Sequence, residues 1–200
     1  MMSNKPFSQA CENNKIPILQ VIREVYRQPA TVWEIGSGTG QHASYFASQL
    51  PHLIWQPTDR EENIAGINAW RSEAQLANLN QPIALDVTQS VWPCAGIDAL
   101  FTANTLHILS WQSVELMFAK LPYYLNPLAL ICIYGPFNYH GRYTSDSNAR
   151  FDQWLKDRDP LSGIRESEAV FTLAESQGLR LLNDYAMPAN NRLLVFQNRE

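Results

Sequence analysis

Three alternating glycines directly after a short β-prone run constrain this chain more than any other feature. Thr31 to Ile35 is rich in strand formers, Gly36, Gly38 and Gly40 follow, and an amphipathic stretch from Gln41 to Leu50 begins at once. A strand, a tight glycine turn and a helix form the opening unit of a doubly wound nucleotide-binding sheet. Glycine permits positive φ in such a turn, and its missing Cβ lets a ligand lie against the backbone.

The spacing discriminates between ligands. A dinucleotide fingerprint reads G-x-G-x-x-G and sets a pyrophosphate on the helix N-terminus. Here Gln41 stands where that pattern wants glycine, and no G-K-[ST] of a P-loop follows. Glu34, two residues before the first glycine, would repel a pyrophosphate and attract a cationic ligand. The resulting E-x-G-x-G-x-G resembles motif I of the S-adenosylmethionine-dependent methyltransferases, whose cofactor carries a sulfonium and an ammonium. A glycine-rich turn without a ligand is the bland alternative, and it would cost backbone entropy with no packing gain.

Two hundred residues suit one α/β domain, residues 1–200, with an N-terminal helical segment over 1–29 and a core over 30–200. A net charge of -4 argues against general nucleic-acid binding, which usually needs a basic stripe. Cys11, Cys94 and Cys132 are far apart, so neither a disulfide framework nor a metal site is expected. There is no long apolar run, and the N-terminus does not read as a signal peptide, so a cytoplasmic protein is expected.

Residues 1–14 read as irregular, and Ile18, Leu19, Ile22, Val25 and Tyr26 fall at helical spacing between Lys15 and Tyr26. Strand 2 spans Leu53 to Asp59, which leaves Asp59 at the ligand-binding edge of an open sheet. An acidic residue there accepts ribose hydroxyls; its alternative is capping the helix that follows. A helix covers Ile64 to Ala77. Strand 3, Ile83 to Thr88, carries Asp86, placed to accept an adenine amino group, with the Val87 N–H near a ring nitrogen; capping a short turn is the alternative for Asp86. Strand 4, Ile97 to Asn104, puts Asn104 and His107 at the same edge. A helix from about Trp111 to Leu121 is capped by Ser110, and Leu128 to Tyr134 is strand 5. Gly135 to Asn148 is long and aromatic, and 136–147 reads as a lid over the active edge. Helices at 148–157 and 166–177 and two strands at 179–185 and 192–197 follow; the short link makes that last pair antiparallel.

The glycine motif, Asp59 and Asp86 together look like the class I methyltransferase fold, a Rossmann-like α/β sheet of seven strands with the last antiparallel. Further stretches are similar to the methyltransferase-like protein 26 family, among them Glu12 to Leu19, Glu34 to His42, Trp55 to Asp59, Ala103 to Ile108, Tyr134 to Phe137, Ser147 to Asp152 and Met187 to Asn191. The resemblance implies S-adenosylmethionine as cofactor, with Glu34, Gly36, Ser37, Gly38, Asp59, Asp86, Val87 and Asn104 around it. It brings no substrate. No N-P-P-Y clamp follows strand 4 and no cysteine nucleophile sits there, which lowers the odds of a nucleic-acid base.

Methyl transfer needs alignment and exclusion of water more than protein functional groups. His107 is the candidate general base by position, against the bland reading of a packed histidine, and Tyr134 is the second candidate catalytic residue. Tyr139, His140 and Tyr143 would sandwich an acceptor, while Asn13, Asn14 and Lys15 would close over the cofactor carboxylate. The expected function is methyl transfer to a small neutral or cationic molecule, with no nucleic-acid or membrane partner. A non-catalytic module that kept the fold is the alternative, and a Rossmann oxidoreductase is a distant third.

Overall fold

The computed structural model describes residues 5–28 and 30–199. Helix α1 (Gln9–Val25) precedes β1 (Thr31–Ile35), α2 (Gln41–Gln49), β2 (Ile54–Asp59), α3 (Glu61–Ala74), β3 (Ile83–Ala84) and β4 (Ile97–Ala103). Then come α4 (Trp111–Tyr124), β5 (Leu125–Asn138), α5 (Asp146–Arg158), β6 (Arg165–Glu166), α6 (Ser167–Ser176), β7 (Leu179–Met187) and β8 (Asn191–Asn198). The strands form one sheet in the order β3-β2-β1-β4-β5-β8-β7, with the two-residue β6 paired to β5. All pairings are parallel except β5 with β8 and β8 with β7. The reversal between β1 and β4 is the switch point at which open α/β sheets bind ligands.

Alternation along the central strands builds two cores. Leu100 of β4, Ile131 and Ile133 of β5 and Phe196 of β8 face α4 and α6, meeting Val114, Phe118 and Val170. Ala99, Phe101, Cys132 and Val195 face the other way, onto α1 and α2, meeting Ile18, Ile22 and Phe46. Strands covered on both faces are largely apolar, as β5 is from Leu128 to Ile133.

Several elements depart from expectation. Helix α1 begins six residues earlier than its apolar period, at a Ser8 cap whose side chain accepts from the Cys11 N–H. Pro17 is therefore interior to α1, where it withholds an N–H from the Asn13 carbonyl. The third strand is only Ile83–Ala84, so Asp86 lies beyond it in a turn. The expected lid is shorter than 136–147, since strand takes 136–138 and helix 146–147. Strand β5 continues through Gly135 and Pro136 to a buried Phe137 and Asn138, still paired with β8 and β6. Only a tight turn, closed by reciprocal backbone bonds between Tyr139 and Arg142, and a short link lead into α5. The Ser110 cap of α4 is present: its hydroxyl accepts from the Ser113 N–H.

Candidate functional site

The glycine turn is locked to the end of β2. Gly36 and Ser37 both donate their N–H to the Thr58 carbonyl at 3.0 Å, and Gly38 N–H donates to Asp59 Oδ2 at 2.6 Å. Gly36, Gly38 and Gly40 all have positive φ, at +73°, +57° and +87°. Their reasons differ. A Cβ on Gly36 would sit 2.7 Å from Thr105 Oγ1 and one on Gly40 would sit 2.9 Å from Ile67 Cα, whereas a Cβ on Gly38 would meet nothing within 4 Å. Gly36 and Gly40 are therefore tight-packing positions, and Gly38 is the exposed one, with open space where a side chain would stand.

Asp59 lies at the predicted edge, buried at 8 % exposure. Its Oδ2 takes Gly38 N–H, and its Oδ1 takes the Arg60 N–H and Asn63 Nδ2. A carboxylate offers about four lone-pair directions, so one remains for a ribose hydroxyl without breaking the turn. Asp86 Oδ1 accepts from the Thr88 N–H and hydroxyl, the turn-capping alternative, while Oδ2 has no partner among the described residues. These bonds hold its pKa below the ordinary value. The Val87 side chain is packed in the core, and its N–H has no partner among the described residues. Asn104 ends β4 in the left-handed region at φ +57°, its N–H bonded to the Tyr134 carbonyl at 2.8 Å.

Glu34 is one layer behind the turn. It is 1 % exposed, and its Oε2 accepts from Trp55 Nε1 at 2.9 Å and from Ser37 Oγ at 3.0 Å. Desolvation pushes its pKa up to about 7, against the two hydrogen bonds that favour the anion. Ser37 is likewise buried, bridging Glu34 to β2, since its Oγ also accepts the Thr58 N–H.

The first half of α1 covers the turn. Gln41 grips it: Oε1 accepts from the Ser8 N–H and the Thr39 hydroxyl, and Nε2 donates to the Ser8 carbonyl and Glu12 Oε1. Lys15 pairs with Glu12 rather than reaching into the site. Beside this cover, a cavity of about 250 Å³ opens between α1, the ends of β4 and β5, α5 and the β7–β8 link. Asn13, Asn14, Asn104 and Tyr134 line it, together with Asn148, Phe151 and Asn191. A larger, more open groove of about 480 Å³ between α4 and α6 contains none of the predicted site residues.

Tyr134 is thus brought to the cavity, where burial pushes its hydroxyl up to about 12 with the Asn14 side chain working the other way. His107 is not. It is 5 % exposed and packs edge-on against Phe151 at 5.3 Å, and it is absent from the cavity wall. Burial first, and the Arg165 guanidinium second, lower its pKa to about 4. His107 is thus a packed, buried histidine away from the cavity, the alternative to its reading as general base. His140 lies outside the site, exposed and against Glu168. Tyr139 and Tyr143 spend their hydroxyls on Asp184 and Asp152. Asn148, Phe151 and Asn191 carry no role in the sequence reading, although they fall in two of the stretches that resemble a family.

The sequence over residues 5–198 matches the family described as "Protein of unknown function (DUF938)". The chain belongs to the DUF938 family. Solved structures share the DUF938 chain's architecture. The S-adenosylmethionine-dependent methyltransferase SibL in its apo form superposes with a TM-score of 0.80 at 18 % identity, covering 95 % of this chain and 56 % of its own. An O-methyltransferase family protein from Burkholderia thailandensis gives 0.82 at 14 %, covering 93 % and 56 %. The pyocyanin biosynthetic protein PhzM gives 0.72 at 14 %, covering 88 % and 53 %. At these identities the likeness establishes the fold: the DUF938 chain has the Rossmann-like class I methyltransferase architecture, and it spans just over half the length of these structures. Among the described residues no helix is long and apolar enough to cross a membrane, and no cluster of three potential metal ligands occurs.

Proposed function

We infer that this DUF938 chain is an S-adenosylmethionine-dependent methyltransferase of the cytoplasm acting on a small-molecule acceptor. One observation carries the reading. The open Gly38 position stands beside Asp59, with a spare carboxylate lone pair, at the switch point of a class I methyltransferase sheet. The residues fit the cofactor. Gly36, Ser37 and Gly38 supply the cradle, Asp59 the ribose contact, Asp86 Oδ2 and the Val87 N–H the adenine contacts, and Asn104 the wall toward the acceptor. Glu34 backs the cradle with a carboxyl poised near neutrality, which favours a nearby sulfonium once ionised. When bound, the cofactor supplies an electrophilic methyl group. The chain's own part is to align the acceptor and keep water out, as the cover by α1 does. The acidic net charge supports a small acceptor over nucleic acid.

Calorimetric titration with S-adenosylmethionine, S-adenosylhomocysteine and NAD tests this. Binding of the first two without NAD is the expected result. Gly38→Asn is the informative variant, because Asn tolerates positive φ while its side chain fills the open space. It is expected to fold and to lose binding. Full affinity in Gly38→Asn, or no binding in the wild type, would remove the reading.

A further inference from the structure

Among the described residues the cavity beside Asn104 has no formal charge on any lining side chain: no Asp, Glu, Lys, Arg or His contributes to it. Its polar groups are the Tyr134 hydroxyl and amides, three of which are oriented by bonds outside the wall. His42, stacked on Phe46 at 5.1 Å and buried, holds Asn14 Oδ1 at 2.6 Å from its Nε2, which turns the Asn14 amide nitrogen toward the Tyr134 hydroxyl with a second N–H to spare on the wall. Asn148 is 6 % exposed and donates its Nδ2 to Thr144 Oγ1 and the Asn190 carbonyl, so its Oδ1 is the side left over, without a partner among the described residues. Asn191 likewise directs its Nδ2 to the Pro188 and Ala189 carbonyls. The rest of the wall is flat and apolar, with Phe151, Tyr134 and three prolines. Two non-glycine residues on it, Asn104 and Ala189, are held at φ +57°. Such strain gathers at ligand sites.

Two consequences follow for an acceptor. An anionic one would be desolvated with no cation to meet it. A hydroxyl with an ordinary pKa would need a base, and the wall has none. We propose that this cavity takes a small, neutral, planar heteroaromatic molecule and presents its unprotonated ring nitrogen to the methyl group, with Asn14 Nδ2 and Asn148 Oδ1 reading its polar substituents. The proposal rests on the methyltransferase reading. The ring-nitrogen lone pair forms the new C–N bond as the carbon–sulfur bond breaks and its electron pair remains on sulfur. The positive charge moves to the ring, and no proton is released. Amide oxygens and the faces of Phe151 and Tyr134 suit the resulting cation. The volume is at the small end of ligand pockets, about 300–1,000 Å³, which fits one or two fused rings.

Isoquinoline, 2-naphthol and 2-naphthoate have nearly one shape and differ in chemistry, which makes them the probes. With the full chain saturated in S-adenosylhomocysteine, isoquinoline is expected to bind by calorimetry, and 2-naphthoate about tenfold more weakly or worse, the scale of one lost polar interaction. With S-adenosylmethionine, isoquinoline is expected to give its N-methyl cation by mass spectrometry without acidifying an unbuffered indicator solution. Asn148→Leu is expected to weaken binding of an amino-substituted isoquinoline, whose N–H can donate to Asn148 Oδ1, about tenfold, while binding of isoquinoline itself and S-adenosylhomocysteine affinity stay unchanged. Failure of isoquinoline to bind, or faster methylation of 2-naphthol with release of acid, overturns the proposal even where the cofactor binds. Failure of the cofactor itself to bind overturns the methyltransferase reading, and the binding of isoquinoline to the cofactor-free chain then still decides the character of the cavity.

Discussion

Replacing Glu34 by Gln separates the charge of a buried carboxyl from its shape. The amide oxygen keeps an acceptor for Trp55 Nε1 and Ser37 Oγ, so the packing is preserved. What disappears is a titration. Burial lifts the folded-state pKa from 4.5 to about 7. Between those values the folded chain keeps a proton that the unfolded chain has released. Stability from this group is therefore fully present below about pH 4.5 and is lost as pH rises through about 7. At about 1.4 kcal/mol per unit the loss amounts to about 3 kcal/mol. The amide of Glu34→Gln cannot titrate, so the variant gains on the wild type by that amount across the interval. Urea unfolding of both chains at steps from pH 5 to 8 measures it, and His42 and His107 cancel because they titrate in both. Parallel curves would refute the reasoning, since they would mean that Glu34 is solvated well enough to ionise at an ordinary pH.

Other outcomes are expected from the same geometry. His42 and His107 both have pKa values lowered to about 4 by burial, so each contributes stability that is present above the unfolded value of 6.5 and lost as pH falls toward 4; His107→Phe should remove one proton from the acid-unfolding slope, as proton uptake on unfolding at pH 5 would show. Gly40→Ala places a Cβ 2.9 Å from Ile67 Cα at φ +87° and should destabilise the chain by about 2–4 kcal/mol in chemical denaturation. Asp59→Asn removes the charge from the Gly38 N–H bond and the ribose contact together, and S-adenosylhomocysteine affinity should fall by about 1–3 kcal/mol in calorimetry. The Phe137 and Asn138 amides, paired at the end of β5, should be protected from hydrogen exchange without ligand; fast exchange there would restore the reading of this segment as an open lid.

The glycine turn and the acidic end of β2 are legible because each rests on local pattern: alternating glycines after a short apolar run, a carboxylate at the end of a strand. The start of α1 is not. Residues 9–14 are polar because they cover the glycine turn through Ser8, Glu12 and Asn14 rather than packing on the core, and a polar buried face gives no apolar period. The lid is misleading in sequence because Gly135 and Pro136 ordinarily break a strand. Here β5 runs on through them, paired on one side with β8 and farther along with β6. His107 misleads for a different reason. Three residues beyond a strand end fix distance along the chain but not direction, and the residue that turns it away is Phe151, forty-four positions later.

Pro17 divides α1 into halves with different allegiances. Beyond it, Ile18, Leu19 and Ile22 are sunk in the core at 0–6 % exposure. Before it, the helix meets the site mainly through hydrogen bonds, and the Asn13 carbonyl lacks its helical partner at the junction. Swinging the first half outward therefore exposes polar contacts that water replaces at little net loss, and leaves the apolar anchor untouched. The same half carries both the grip on the glycine turn and Asn13 and Asn14 on the cavity wall. A hinge at Pro17 would therefore open both compartments together and, on the proposed function, would couple departure of the cofactor to that of the product.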